Sequence, residues 1–119
     1  MKVVSGAFNF SRPAWSDMLQ RKFDSLAEMR RGEELKRLEM AGEIMALAFQ
    51  PRYELCKKPR ISYTADFRYR IEDVEIIEDV KGGPITRDAR TRIAWAQKEY
   101  GIIVHLIRMR RGTWEQETL

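Results

Sequence analysis

Two carboxylates and a lysine stand out against apolar strand sequence. Asp79 and Lys81 are two apart in Ile77-Glu78-Asp79-Val80-Lys81-Gly82. Side chains on a strand alternate faces, so this pair points the same way. Asp66 lies upstream in Tyr63-Thr64-Ala65-Asp66-Phe67. If the two strands pair as a hairpin, Asp66 faces Asp79 and Lys81. A third carboxylate, Glu28 or Glu34, can come from the edge of a packed helix, and spacing does not choose between them. Such a group suits hydrolysis of a phosphodiester. Bare carboxylates repel phosphate, but bound Mg²⁺ or Mn²⁺ inverts the local charge. Hard oxygen ligands match those ions. The ion polarises the phosphoryl oxygen and acidifies bound water, and a second ion ~3.5–4 Å away would stabilise the leaving oxygen. Lys81 would hold or help deprotonate the attacking water. Taken alone, an Asp-x-Lys triplet is usually a solvated sheet face with cross-strand ion pairs. Its setting between apolar strands is what singles it out.

Composition excludes other chemistries. The 119 residues include one Cys, Cys56, and one His, His105. A disulfide framework needs paired cysteines, and a Cys/His zinc site needs three or four ligands. His105 sits in the apolar run 101–107 and reads as structural. Hydrophobic residues make up 44%, enough for a real core. No apolar run approaches the ~18 residues of a membrane span. The opening Met1-Lys2-Val3-Val4-Ser5-Gly6 is too short in its apolar part for a secretory signal. A cytosolic location is expected. Lys and Arg number 22 against 18 Asp and Glu, a net +4. That balance leans weakly toward a nucleic-acid partner.

The elements that must position these groups read as one domain over 1–119. Residues 1–20 have no clear period and read as an arm, an extra strand or a dimer contact. A helix starts near Phe23-Asp24-Ser25, with Asp24 or Ser25 as cap and Glu28 three residues after Ser25 as in a capping box. Its stripe is Phe23, Ala27, Leu35, Leu38 and Ala41, and Gly42 stops it. Residues 47–55 read as an extended edge segment, because Pro51 would break a central ladder. Lys57-Lys58-Pro59-Arg60 is a basic turn. Ile61 to Ile71 alternates as one strand, Glu72-Asp73 turns the chain, and 74–81 is the next strand. A second helix spans Thr86–Tyr100 with Ala89, Ile93, Ala96 and Tyr100 on its apolar face. A last strand covers 102–109, and 110–119 reads as a mobile tail. The order is helix, three strands, helix, strand: an α/β domain with a small mixed sheet.

Asp66 followed by Asp79-Val80-Lys81 resembles the signature of the PD-(D/E)XK nuclease superfamily. The closer similarity is to small, mostly phage-encoded members. Four pieces carry it: Phe23-Asp24-Ser25 with Glu28; Ala41-Gly42-Glu43-Ile44; Gln50-Pro51-Arg52-Tyr53-Glu54-Leu55; and Tyr63-Thr64-Ala65-Asp66-Phe67 through Gly82. They span about residues 20–105. Ala65 replaces the proline of the signature. Leu26 replaces a lysine that usually follows the first-helix serine. The resemblance implies a restriction-endonuclease-like core, its small mixed sheet flanked by helices. It implies Glu28, Asp66, Asp79 and Lys81 as the catalytic set, with Glu28, Asp66 and Asp79 on Mg²⁺ or substituting Mn²⁺. It selects Glu28 over Glu34. Glu78 faces the other side of its strand and is expected either to support the site from behind or to support the structure, and Gln50 is a minor supporting member of the site.

Small basic members of that superfamily are often resolvases of four-way DNA junctions. The implied function is a metal-dependent, structure-specific endonuclease on branched DNA, acting as a homodimer so that two opposed strands are cut. No organic cofactor or membrane is implied. Trp15, Trp95 and Trp114 are candidates for the dimer surface, each equally fit for ordinary packing. So short a chain has no room for a recognition domain and would read backbone shape and charge. Candidate phosphate contacts are Lys57, Lys58, Arg60, Arg87, Arg90, Arg92 and Lys98. Two other readings stay open: a flap, mismatch or single-strand endonuclease, or a catalytically inert DNA-binding phage protein on the same fold.

Overall fold

Alternating apolar residues build the sheet, and two capped helices cover it. The computed structural model describes residues 12–119. Strands β1 (Ala14–Ser16) and β2 (Arg21–Phe23) form a short antiparallel hairpin. Helix α1 spans Leu26–Met40. Strands β3 (Met45–Phe49), β4 (Arg52–Cys56), β5 (Ile61–Thr64), β6 (Phe67–Ile71) and β7 (Val74–Val80) follow. Helix α2 (Arg87–Tyr100) leads to β8 (Val104–Arg110) and β9 (Thr113–Glu117). Five strands make one mixed sheet in the order β3-β6-β7-β8-β9, while β4 and β5 form a separate ribbon. Within the five-stranded sheet only the β7–β8 pair is parallel. A parallel pair needs a crossover, and α2 supplies it.

The two helices lie on opposite faces. Ile76 and Ile77 are adjacent in β7, so their side chains point apart. Ile77 packs with Tyr63, Ala65, Val104 and Leu106 and with Ile93 and Ala96 of α2. Ile76 packs against Phe23, Phe67 and Tyr69 and Leu35 of α1. Helix α1 comes close because residue 32 is glycine. A Cβ there would sit 3.2 Å from Phe67 Cε1 and 3.3 Å from Phe23 Cζ. Both caps are satisfied: Ser25 Oγ accepts from Glu28 N–H and Thr86 Oγ1 from Ala89 N–H, each at 3.1 Å. Gly101, with φ 66°, closes α2.

Several boundaries differ from the sequence reading. Residues 1–11, most of the expected arm, lie outside the described residues. The rest of that stretch enters the β1–β2 hairpin, whose Ser16 is buried and donates to Glu33 Oε2 at 2.7 Å. Ala41 is exposed rather than part of the stripe, and Ile44 is buried in its place. The single strand expected over 61–71 is broken at Ala65-Asp66, and the 47–55 segment is broken at Gln50-Pro51. The expected mobile tail instead holds β9, which pairs with β8 from Thr113 to Glu117. Trp114 anchors it: its ring lies 5.4 Å from the Arg31 guanidinium and its Nε1–H donates to Glu34 Oε1 at 3.1 Å. Trp95 packs on the α2-side core, and Trp15 is largely exposed. Among the described residues no helix is long and apolar enough to cross a membrane.

Candidate functional site

The site forms where the ribbon creases. At Gln50, with φ 54°, the chain leaves β3 for β4. At Asp66 it passes from β5 to β6. Gln50 N–H donates to the Asp66 carbonyl at 2.9 Å, and Ala65 N–H to the Pro51 carbonyl at 3.0 Å. Asp66 N–H donates to the Glu78 carbonyl at 3.1 Å, which sets it beside the end of β7. Two of these backbone bonds hold Asp66 itself, and the third holds its neighbour Ala65. Gln50 contributes its main chain there, and its residue is exposed.

Three elements send acids into this corner. Asp66 Oδ2 accepts from Val80 N–H at 2.7 Å. Asp79 Oδ2 accepts from the buried Tyr63 hydroxyl at 2.7 Å and lies 3.4 Å from Lys81 Nζ. Glu28, in the first turn of α1, is only 6% exposed. Its backbone N–H engages Ser25, but its carboxyl turns toward Asp66 and Asp79 rather than back to the cap. Glu34 goes elsewhere, to Arg31 at 2.8 Å and to Trp114. The structure thus brings Glu28, Asp66, Asp79 and Lys81 together and leaves Glu34 out.

The corner is short of positive charge. Burial, then repulsion by Asp79 and a hydrogen bond to it, then Glu28, push the Asp66 carboxyl up to about 9, against the opposing Val80 N–H. Burial, then Asp24 and Asp79, raise Glu28 to about 7, with Arg21 and the Asp66 hydrogen bond opposing. Burial and Asp79 keep the Tyr63 hydroxyl protonated. Asp66 and Glu28 therefore hold their protons to higher pH than ordinary carboxyls do. Among the described residues, no three His, Cys, Asp or Glu side chains already stand as a metal cage.

Glu78 lies on the other side of β7 and is fully buried. Both its oxygens are held by Arg31 of α1, at 2.8 and 2.7 Å, and Tyr69 donates to it as well. Its neighbour faces the cluster while Glu78 locks α1 to the sheet.

The basic candidates separate into two sets. Lys57, Lys58 and Arg60 are exposed on the β4–β5 turn, and Arg87, Arg90 and Lys98 are exposed on α2. Arg92 is committed inward instead. It donates to Asp88 Oδ2 at 3.0 Å and to the Ser62 carbonyl at 2.7 Å, tying α2 to β5. Two residues that the sequence reading missed are Tyr63 and Arg110. Tyr63 looked like one more apolar member of an alternating strand. Arg110 lay in the expected tail, and only the parallel register, with Val80 opposite Ile107, carries β8 past Lys81.

A mixed α/β protein with an acid–lysine cluster at a creased sheet is the class that fold and site define. The chain belongs to the DUF1064 family, proteins of unknown function, whose family model matches residues 17–114. That span includes all four clustered residues. No curated protein and no solved structure matches the chain.

Proposed function

We propose that this protein is a metal-dependent DNA endonuclease of the PD-(D/E)XK type, acting on branched DNA and cutting four-way junctions in pairs as a homodimer. One observation carries the reading: Glu28, Asp66, Asp79 and Lys81 converge from α1, the β5–β6 crease and β7. The donor chemistry fits a hard divalent cation. Three carboxylates crowd one corner, and a cation would offset the mutual repulsion that raises Asp66 and Glu28. Tyr63 and the Val80 amide each occupy one acceptor site on Asp79 and Asp66, and a carboxylate keeps further lone pairs for a metal. Bound Mg²⁺ or Mn²⁺ would supply polarisation of the phosphoryl oxygen and acidification of water. Lys81 sits where it can orient that water and hold a proton near Asp79. Tyr63 fixes the Asp79 rotamer, and the Val80 amide fixes Asp66.

Junction preference rests on the resemblance to small junction-cutting nucleases and on the net charge of +4. Asp66→Asn and Asp79→Asn test the catalytic assignment. Each should keep the fold, lose more cleavage than the about 10–100-fold typical of a group behind the ligands, and weaken Mn²⁺ binding measured by calorimetry. Full cleavage by both variants would refute it. A wild-type protein that binds junctions and never cuts them identifies an inert binder.

A further inference from the structure

Beside the acid cluster lies an open cleft of about 410 Å³, lined by Ala27, Lys81, Gly82, Gly83, Arg108 and Arg110, among others. Its floor is the loop after β7 and its far wall the end of β8. Neither close packing nor a left-handed backbone demands glycine at 82 or 83. A Cβ on Gly82 or Gly83 would meet nothing within 4 Å, and neither has a positive φ. Glycine at both positions leaves bare backbone facing the open space. The wall is cationic. Arg108 bridges floor and wall, donating to the Gly83 carbonyl at 2.5 Å and to Glu117 at 3.1 Å. Arg110 is mostly exposed and holds only a surface pair with Glu115 at 3.2 Å. Exposed pairs of that kind contribute little and yield readily to a better anion. Lys81 belongs to both the cleft and the acid cluster.

We infer that this cleft seats the phosphodiester backbone of one DNA strand, with Gly82 and Gly83 as a low floor and Arg110 as the phosphate-contacting wall. It deepens the endonuclease reading by naming the path of the strand that reaches the acids. Arg108 is a positioning residue, holding floor to wall. The bare floor matters because a side chain at residue 83 would rise into the path of the strand. Strand seating here is separable from metal binding, since neither glycine nor Arg110 touches the carboxylates.

The test is fluorescence anisotropy with a labelled single-stranded oligonucleotide in EDTA, comparing wild type, Gly83→Val and Arg110→Gln. Gly83→Val should bind at least tenfold more weakly at an unchanged melting temperature. Arg110→Gln should lower the slope of log affinity against log salt by about 1. Both should bind Mn²⁺ like the wild type in calorimetry. Wild-type affinity and salt slope in both variants overturns the cleft, as does a wild-type protein that binds no single strand. Should Gly83→Val fail to fold, the Arg110→Gln slope decides by itself. Binding that responds as expected in a wild type that never cuts DNA leaves the cleft standing and removes the nuclease reading.

Discussion

Asp66 holds its carboxyl against two others, and that crowding has a pH signature. Its value is raised from 3.8 to about 9 and that of Glu28 from 4.5 to about 7. Between the unfolded and folded values the native state keeps a proton that the unfolded chain has released. The associated stability is therefore fully present below about pH 4 and is lost as pH rises through about 9. Metal-free wild type should lose melting temperature across that window relative to Asp66→Asn, whose amide carries no charge to repel. Equal pH profiles for the two proteins contradict the crowding. Mn²⁺ should raise the wild-type melting temperature more at pH 8 than at pH 5, because protons compete for the same oxygens. Mn²⁺ should do little for Asp66→Asn. Tyr63→Phe removes the bond to Asp79 Oδ2. About a 10–100-fold loss of metal affinity or activity is the expected scale for such a supporting group, with the fold kept.

Two elements must hold their places for those acids to meet. Helix α1 delivers Glu28, and two of its ties to the sheet are the close approach at Gly32 and Arg31 on Glu78. Arg31→Met would strand a carboxylate that is 1% exposed. Breaking one side of a buried pair costs about 3–5 kcal/mol, read as a lowered denaturation midpoint. Gly32→Val would push branched carbons into the Phe23 and Phe67 rings, an overpacking cost of about 1–3 kcal/mol. Wild-type midpoints for both variants would show that α1 is fastened elsewhere. The second element is the creased ribbon, and it marks how much of the fold was legible. Helical stripes and strand alternation found both helices, the β6–β7 hairpin and the final β8, because local periodicity encodes them. The crease was not legible: Ala65 and Asp66 keep the alternation that Ile61 to Ile71 shows throughout. Only the tertiary bonds to Gln50, Pro51 and Glu78 reveal the break. The β9 strand escaped for a similar reason, since Trp114 needs Arg31 and Glu34 from a distant helix to hold it. Spacing could not separate Glu28 from Glu34. Burial separates them in the structure, one beside Asp66 and the other beside Trp114.

On the scale of the whole molecule, a basic chain carries an acidic corner. Exposed cations stand on the β4–β5 turn and on α2, with Arg110 exposed at the cleft, while three of the acids gather where the ribbon folds. Binding to branched DNA should then weaken steeply with salt. Asp79→Asn should cut no DNA yet bind it at least as well, since removing negative charge does not hurt attraction to phosphate. The most direct measurement incubates labelled four-way junction, flap, linear duplex and single strand with wild type and with Asp79→Asn, in Mg²⁺, Mn²⁺ or EDTA at matched salt. The expected result is paired incision near the branch point, with either metal only, by the wild type only. Equal cutting of duplex and junction contradicts the junction assignment, and cutting that survives EDTA or Asp79→Asn contradicts the acid–lysine site itself.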